Sequence, residues 1–255
     1  MFMVNHLIGF GVLVDGPPLD GVSGLTGAWS MSRKLLSSYA GALYTDAGGG
    51  AISAWLDQSG NSRNLSQGTS GSRPSAATAG GKSRACADFD GTDDLLTGTT
   101  MSNFIAAGTG YLVVSALVDV ISTNVTSASN GYQNDGIVSD DGANVGILLR
   151  STGPLAIANN FDGNSDDTGT VATTTGAVHI YEWRHESGTL YLRVDGGTEA
   201  SVASGNTTLT GSMIIGRNYQ DQYLDGKVFE VAAFNAVPAL ATRNAIVADM
   251  LAWAA

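Results

Sequence analysis

Cysteine, histidine, lysine and glutamate are all scarce in this sequence, and each scarcity closes off a class of chemistry. A single cysteine, Cys86, leaves no intrachain disulfide and no cysteine-built zinc cage. Three histidines, His6, His179 and His185, cannot form a multi-histidine metal site without help from carboxylates. Only three lysines occur (Lys34, Lys82, Lys227), and 12 basic residues against 23 acidic ones give a net charge of −11. Phosphate neutralisation needs clustered Lys and Arg, so nucleic acid is not an expected partner. No apolar run reaches the roughly 18 residues that a membrane-spanning helix requires. Glutamate appears four times, as Glu182, Glu186, Glu199 and Glu230. That bounds the carboxylate pairs on which glycoside hydrolysis depends.

What is abundant points to strands joined by turns. Glycine supplies 34 of the 255 residues, and 14% of the chain is charged against 43% hydrophobic. Disorder requires low hydrophobicity with high net charge, so this chain folds. At this length roughly 70% of the unfolded surface can be buried. Short apolar stretches recur at residues 42–46, 52–57, 84–90, 110–120, 145–151, 155–161, 177–185, 189–196, 198–203, 212–218 and 226–235. Turn-forming Gly, Asn, Asp and Ser separate them, which predicts an all-β antiparallel sandwich. Alternation is cleanest over residues 189–194, and Asp195-Gly196-Gly197 then closes a hairpin. The Asn-Asp-Gly and Asp-Gly signals in residues 135–141 and 162–167 read as loops.

After Pro238 the pattern changes. Leu240, Ile246, Val247, Met250 and Leu251 fall at helical spacing, which predicts one short C-terminal helix over the sandwich. Thr242 could cap it, or Pro238 could start it earlier. No repeat and no linker interrupts residues 19–255, which read as one domain. Residues 1–18 are apolar, glycine-interrupted and end in Pro17-Pro18. The first basic residue is Arg33 and no A-x-A site follows, so a signal peptide is not expected. Two readings remain for this segment: a first β-strand, or an arm that docks on a partner chain through Phe2, Val4, Leu7, Ile8 and Phe10.

Two blocks are specific. The first is WLDQSGNSRNLSQ (55–67), then Arg73-Pro74 and RACADFDGTDDLL (84–96); the second is GTLYLRVDGG (188–197), IIGRN (214–218) and YLDGKVFEVAAFN (223–235). In order, these resemble the concanavalin A-like, laminin-G-like jelly roll. That resemblance implies a W-x-D-x-S-G-N strand, an F-D-G-x-D-D turn, a hairpin, an I-G strand, a D-G-x-x-x-E strand and a short helix. The stretch SRKLLSSYAGALY (32–44) is similar to the jelly-roll module of fungal α-L-arabinofuranosidases and to bacteriophage virion proteins with a related leader. The arabinofuranosidase resemblance implies a carboxylate pair and an adjacent-cysteine disulfide near the sugar pocket. With Cys86 alone that disulfide cannot form, and no glutamate takes the place of the family's nucleophile.

Sugar recognition uses an aromatic platform with a few directed polar groups. The candidates are Trp183, Tyr132, Tyr219 and Tyr223, with Asp135 and Asp221, and with Asp140, Asp141 and Asn218 in similar loops. Trp29, Trp55 and Trp253 belong to core and helix. Among carboxylates, Glu182 shares a strand face with Ile180, Arg184 and Glu186, and is the most nucleophile-like; its plain reading is a solvated face with ordinary ion pairs. Glu230, in the D-G-x-x-x-E strand, reads as structural. Asp88, Asp90, Asp93 and Asp94 surround Gly91, where a strand-to-turn corner is the plain reading and calcium the alternative. No other cofactor is expected. Cys86 reads as a buried, inert thiol.

The expectation that follows is a protein without catalysis, a bacteriophage virion component used in capsid decoration or in a tail or fibre. Other virion proteins, further copies of itself and host-surface carbohydrate would be its partners. The alternatives are an arabinofuranosidase-like glycoside hydrolase and a free secreted lectin.

Overall fold

The computed structural model describes residues 18–105, 108–121, 134–141, 146–150, 155–159, 168–204, 209, 211–218 and 221–254. Two antiparallel sheets stack face to face. The first runs from edge to edge through β15 (Ala200–Ala203), β14 (Thr189–Val194), β13 (Val178–Glu186), β8 (Thr109–Val120), β17 (Asp225–Phe234), β6 (Arg84–Asp90) and β5 (Ser75–Ala79). Strand β1 (Leu25–Ser30) also pairs with β17. The second runs through β12 (Thr168–Ala172), β11 (Leu155–Asn159), β10 (Gly146–Arg150), β9 (Asn134–Asp140), β16 (Ser212–Ile215), β7 (Leu96–Thr100), β4 (Leu65–Ser66), β3 (Ile52–Trp55) and β2 (Tyr44–Asp46). One helix, α1 (Leu240–Ala254), follows β17. The all-β sandwich with a short C-terminal helix is the architecture that the strand spacing predicts.

The core lies between the sheets. Leu112 and Val114 of β8, Tyr181 and Trp183 of β13, Leu192 of β14 and Val231 of β17 point inward from the first sheet. Trp55, Leu65, Leu96, Val138, Met213 and Ile215 meet them from the second. A second apolar layer lies on the far side of the first sheet. There Ile246, Val247 and Met250 of α1 cover Tyr111, Val113, Ile180, Ala232 and Phe234. The first sheet is therefore buried on both faces, and its central strands are apolar on both.

Several strands carry no apolar alternation and differ from the sequence reading. Residues 75–79 and 96–100 are built from Ser, Ala, Thr and Gly with a single leucine, yet they pair as β5 and β7. Residues 134–140 form β9 and not a loop, hydrogen-bonded between β10 and β16. The pairing of Ile137 and Val138 with the core outweighs the turn signal of Asn134-Asp135-Gly136. Gly136 serves close approach here: a Cβ at that position would lie 2.2 Å from the carbonyl carbon of Arg217. The 195–197 hairpin forms as expected, with Asp195 and Gly196 at positive φ and the Gly197 amide donating to Val194 O at 2.9 Å. Helix α1 takes the earlier start: the Arg243 amide donates to Ala239 O at 3.0 Å, which leaves Thr242 inside the helix.

Residues 1–17, with the expected docking side chains Phe2, Val4, Leu7, Ile8 and Phe10, lie outside the described residues, as do residues 162–167.

Candidate functional site

The four glutamates lie on or beside the face that α1 covers. Glu182 is buried, with Arg193 donating to it through Nε and, at 2.8 Å, through Nη2. The Tyr111 hydroxyl donates to the same carboxylate at 2.7 Å, and Arg193 Nη1 reaches Asn244 Oδ1 of α1 at 2.7 Å. Burial and the Glu182 charge push the Tyr111 phenol well above its ordinary range. Arg184, not in contact with Glu182 among these bonds, pairs instead with Glu186 and Glu199, each at 2.6 Å. Glu199 is also within 3.3 Å of Arg243 on α1, and its two arginines hold its carboxyl below the usual range against the opposing effect of burial. The solvated face expected around Glu182 is corrected on this point, because the helix covers it.

Glu230 is fully buried. Arg33 donates to it through Nε at 2.5 Å and Nη2 at 2.8 Å, and Ser30 Oγ donates at 3.1 Å. Complete burial pushes this carboxyl up, while the Arg33 fork and Ser30 pull it back. Arg33 also pairs with Asp249 at 2.5 Å and stacks on Trp253, which Arg84 covers at 3.9 Å from the ring centre. Glu182, Glu199 and Glu230, through their arginines, thus tie helix to sheet.

A different cluster forms on the second sheet, where the chain leaves β16. Gly216, at φ 93°, donates to Ile137 O at 3.1 Å and turns the chain over β9. The Asn218 amide donates to Gln222 O at 3.0 Å, and the Gln222 amide returns to Asn218 Oδ1 at 2.9 Å. Ser139 Oγ of β9 donates to Arg217 O at 2.5 Å, and Arg217 bridges to Tyr223 across the turn. With its backbone pinned on both sides, Arg217 spreads its guanidinium between two carboxylates. Nη1 donates to Asp221 Oδ1 at 2.6 Å and Nη2 donates to Asp141 Oδ1. Both acids are solvent-accessible, 46% for Asp141 and 67% for Asp221, whereas Arg217 is 17% exposed. Two oxygens on the two arms of one guanidinium lie within about 7 Å of each other. Paired carboxylates in glycoside hydrolysis stand about 5–5.5 Å apart in retaining enzymes and about 6.5–9.5 Å apart in inverting ones.

The structure therefore gathers part of the sequence-based site. Asp135 and Asp140 lie buried along β9, Asn218 is buried in the turn, and each has polar partners. Asp221 and the half-buried Tyr223 belong to the same turn. Tyr132 and Tyr219 lie outside the described residues. Trp183 does not reach the surface. It is 2% exposed, in the core between the sheets. Arg217, the residue that joins the cluster, escaped the sequence reading; its signal was the lone basic residue at the end of the I-G strand.

At the β6–β7 corner, single carboxylate oxygens of Asp90, Asp93 and Asp94 lie within 4.8 Å of one another. Much of their capacity is already engaged. Asp90 Oδ1 accepts the Thr92 amide at 2.8 Å, Asp94 Oδ2 accepts the Asp90 amide at 3.2 Å, and Asp93 Oδ2 accepts Ser72 Oγ at 3.1 Å. These bonds make the corner an aspartate-rich turn. Cys86 is buried, and burial followed by the Asp88 charge pushes its thiol up to about 12.

No family model and no curated protein matches this sequence. Solved structures do match. An arabinofuranosidase complexed with arabinofuranosyl-α-1,2-xylobiose superposes with a TM-score of 0.64 at 17% identity, covering 89% of this chain and 62% of that one. Domain 4 of AbnA, a GH43 extracellular arabinanase from Geobacillus stearothermophilus in complex with arabinotriose, gives 0.57 at 13%, with 89% and 99% covered. Trypanosoma rangeli sialidase gives 0.57 at 12%, with 90% of this chain and 33% of that one. At these identities the likeness is one of fold. The chain spans less than two thirds of the arabinofuranosidase it matches. The expectation of a protein without catalysis is corrected by these neighbours, which include glycoside hydrolases. None of the structures named here is a virion protein, so the phage resemblance gains no support from them.

Proposed function

We propose that this protein is a carbohydrate-active β-sandwich of the arabinofuranosidase-like glycoside hydrolase type, working at the Arg217 cluster. The observation that carries the reading is the pair of accessible carboxylates, Asp141 and Asp221, held on one guanidinium. Support comes from neighbours of the same fold that hold arabinofuranosyl-xylobiose and arabinotriose.

In this reading the aspartate that the entering sugar displaces from Arg217 takes up a proton from water and passes it to the glycosidic oxygen as the C–O bond breaks. The other, as carboxylate, attacks the anomeric carbon or takes a proton from the attacking water. Arg217 holds both acids between turnovers, and an entering sugar exchanges its hydroxyls for one arm of the fork. The backbone bonds of Gly216 to Ile137, Asn218 to Gln222 and Asp141 to Ser212 hold the cluster in register while this happens.

Release of 4-nitrophenol from 4-nitrophenyl α-L-arabinofuranoside tests the proposal. Asp141→Asn and Asp221→Asn should each lower kcat by about 10²–10⁴-fold with the fold intact. Unchanged turnover in both variants overturns the assignment. Arabinotriose binding that Asp141→Asn abolishes, without turnover in the parent, favours the second reading, a glycan-recognition module; the AbnA domain, matched over 99% of its length, speaks for that one. A virion location and homo-oligomeric assembly rest on the resemblance of residues 32–44 and on the apolar leader, and stand beside this as separate proposals.

A further inference from the structure

On the first sheet, outside the Arg217 cluster, a hydroxyl, an imidazole and a carboxylate stand in line. His179 of β13 has Nδ1 2.6 Å from Asp195 Oδ2 and Nε2 2.7 Å from Thr174 Oγ1. The three come from different segments, and each segment is fixed by bonds of its own. Asp195, at the end of β14, sits at φ 53°; its amide donates to Ile180 O at 2.9 Å, and its Oδ1 accepts the Ile180 amide at 2.7 Å. One carboxylate oxygen thus holds the backbone of β13, and the other meets the imidazole. Thr174 lies in the turn from β12 to β13. On one side of it Thr173 Oγ1 is bonded to the Tyr181 hydroxyl at 2.9 Å, and on the other the Gly176 amide donates to Val118 O at 2.8 Å. Tyr181 also meets the imidazole edge-on, with 6.1 Å between ring centres. Residues 174–177 are exposed, whereas the His179 side chain is 15% exposed.

We propose that Thr174, His179 and Asp195 form a reactive centre of their own, which hydrolyses esters of small acyl groups. A carboxylate only accepts, so the proton of the neutral imidazole belongs on Nδ1, facing Asp195. Nε2 then carries the lone pair and accepts the Thr174 hydroxyl, which is the relation of general base to nucleophile. In the first step Thr174 Oγ1 bonds to the ester carbonyl carbon while its proton passes to Nε2. The bond from that carbon to the alcohol oxygen breaks, and the imidazolium returns the proton to the leaving oxygen. Water, giving a proton to the same nitrogen, then attacks the acyl-threonine; the carboxylic acid departs and Thr174 Oγ1 regains its proton. Asp195 is a positioning residue: it fixes the tautomer and offsets the imidazolium charge without taking the proton. Thr175 supplies the next backbone amide, the place from which acyl-transfer sites draw an oxyanion donor. An open turn of Thr174, Thr175, Gly176 and Ala177 suits short, unhindered acyl groups better than long chains that need an apolar trough.

Hydrolysis of 4-nitrophenyl acetate by the full chain tests the proposal. Protein quenched in acid during turnover should carry an acetyl group that peptide mass mapping places on Thr174. Thr174→Ala and His179→Gln should each lower release of 4-nitrophenol by about 10²-fold. Thr174→Ser should keep both the adduct and the turnover, and because Thr174 is exposed both of its variants keep the fold. Asp195→Asn retains an oxygen for the Ile180 amide but presents an N–H to Nδ1, which moves the imidazole proton to Nε2 and disables the base. It should lower kcat by about tenfold or more and leave KM unchanged. No turnover in the parent, or an acetyl group found only on lysine or His179, overturns the proposal. Parent-like turnover in Thr174→Ala also overturns it, and if His179→Gln alone is inactive the centre is a lone imidazole. Turnover of 4-nitrophenyl α-L-arabinofuranoside, which rests on Asp141 and Asp221, should be unchanged in Thr174→Ala, so the two proposals fail separately.

Discussion

Asp94 carries the clearest pH signature of any single residue. Its side chain is buried beside Asp90 and Asp93, and burial, followed by the Asp90 charge, raises its pKa to about 6. The unfolded value is about 3.9. A carboxyl whose folded pKa is raised adds stability below the unfolded value, and that contribution is lost as pH rises through about 6. Thermal melts should therefore show Asp94→Asn gaining on the parent as pH rises from 4.5 to 7.5. A difference independent of pH over that window would refute the assignment. Trp183 illustrates why single residues are hard to place from sequence. In residues 179–185 both faces of the strand are covered, one by the second sheet and one by α1. Period-two alternation separates the two faces but does not say which one is wet. The aromatic face looked like a platform and is core, and the charged face looked solvated and is under a helix.

At the scale of the element, α1 is attached by charge as well as by apolar contact. Glu182 and Glu230 anchor two arginine forks beneath it, with Arg193 buried beside Glu182 and Arg33 largely covered beside Glu230. Removing one partner of such a pair leaves a desolvated charge behind, at a cost of about 3–5 kcal/mol. Glu182→Gln and Glu230→Gln should each lower unfolding free energy by about 3 kcal/mol in urea titrations. A change under about 0.5 kcal/mol would mean that the pairs are as weak as surface ones. The helix was legible because its apolar spacing and the proline before it agree. The hairpin at residues 195–197 was legible because positive φ selects Asp and Gly. Strand β9 was not, since a turn dipeptide there serves backbone approach by Arg217 and not a reversal. For the same reason Asp135 was picked for its residue type but placed in a loop.

For the molecule as a whole, the −11 net charge sharpens what the candidate site should accept. The two accessible carboxylates there, Asp141 and Asp221, share the single guanidinium of Arg217. Neutral arabinotriose should bind at least about tenfold more tightly than an oligosaccharide of similar size bearing a uronic acid. Salt should narrow the gap, because screening weakens the repulsion over roughly a Debye length. Calorimetry at low and high ionic strength reads both; equal affinities at low salt would place the ligand elsewhere.

The position of β17 has a consequence during synthesis. It pairs with β1, β6 and β8, so the middle of the first sheet is contributed by one of the last strands in the sequence. Strand β8 ends at Val120 and β17 begins at Asp225. At ordinary translation rates the interval between them takes about 5–20 s. Throughout that time β1, β6 and one edge of β8 wait with unpaired amides and carbonyls, the last carrying a row of valines and leucines. Slowing translation beyond β8 should therefore lengthen the time that this edge stays open and, with it, any demand for chaperones that cover apolar strand edges.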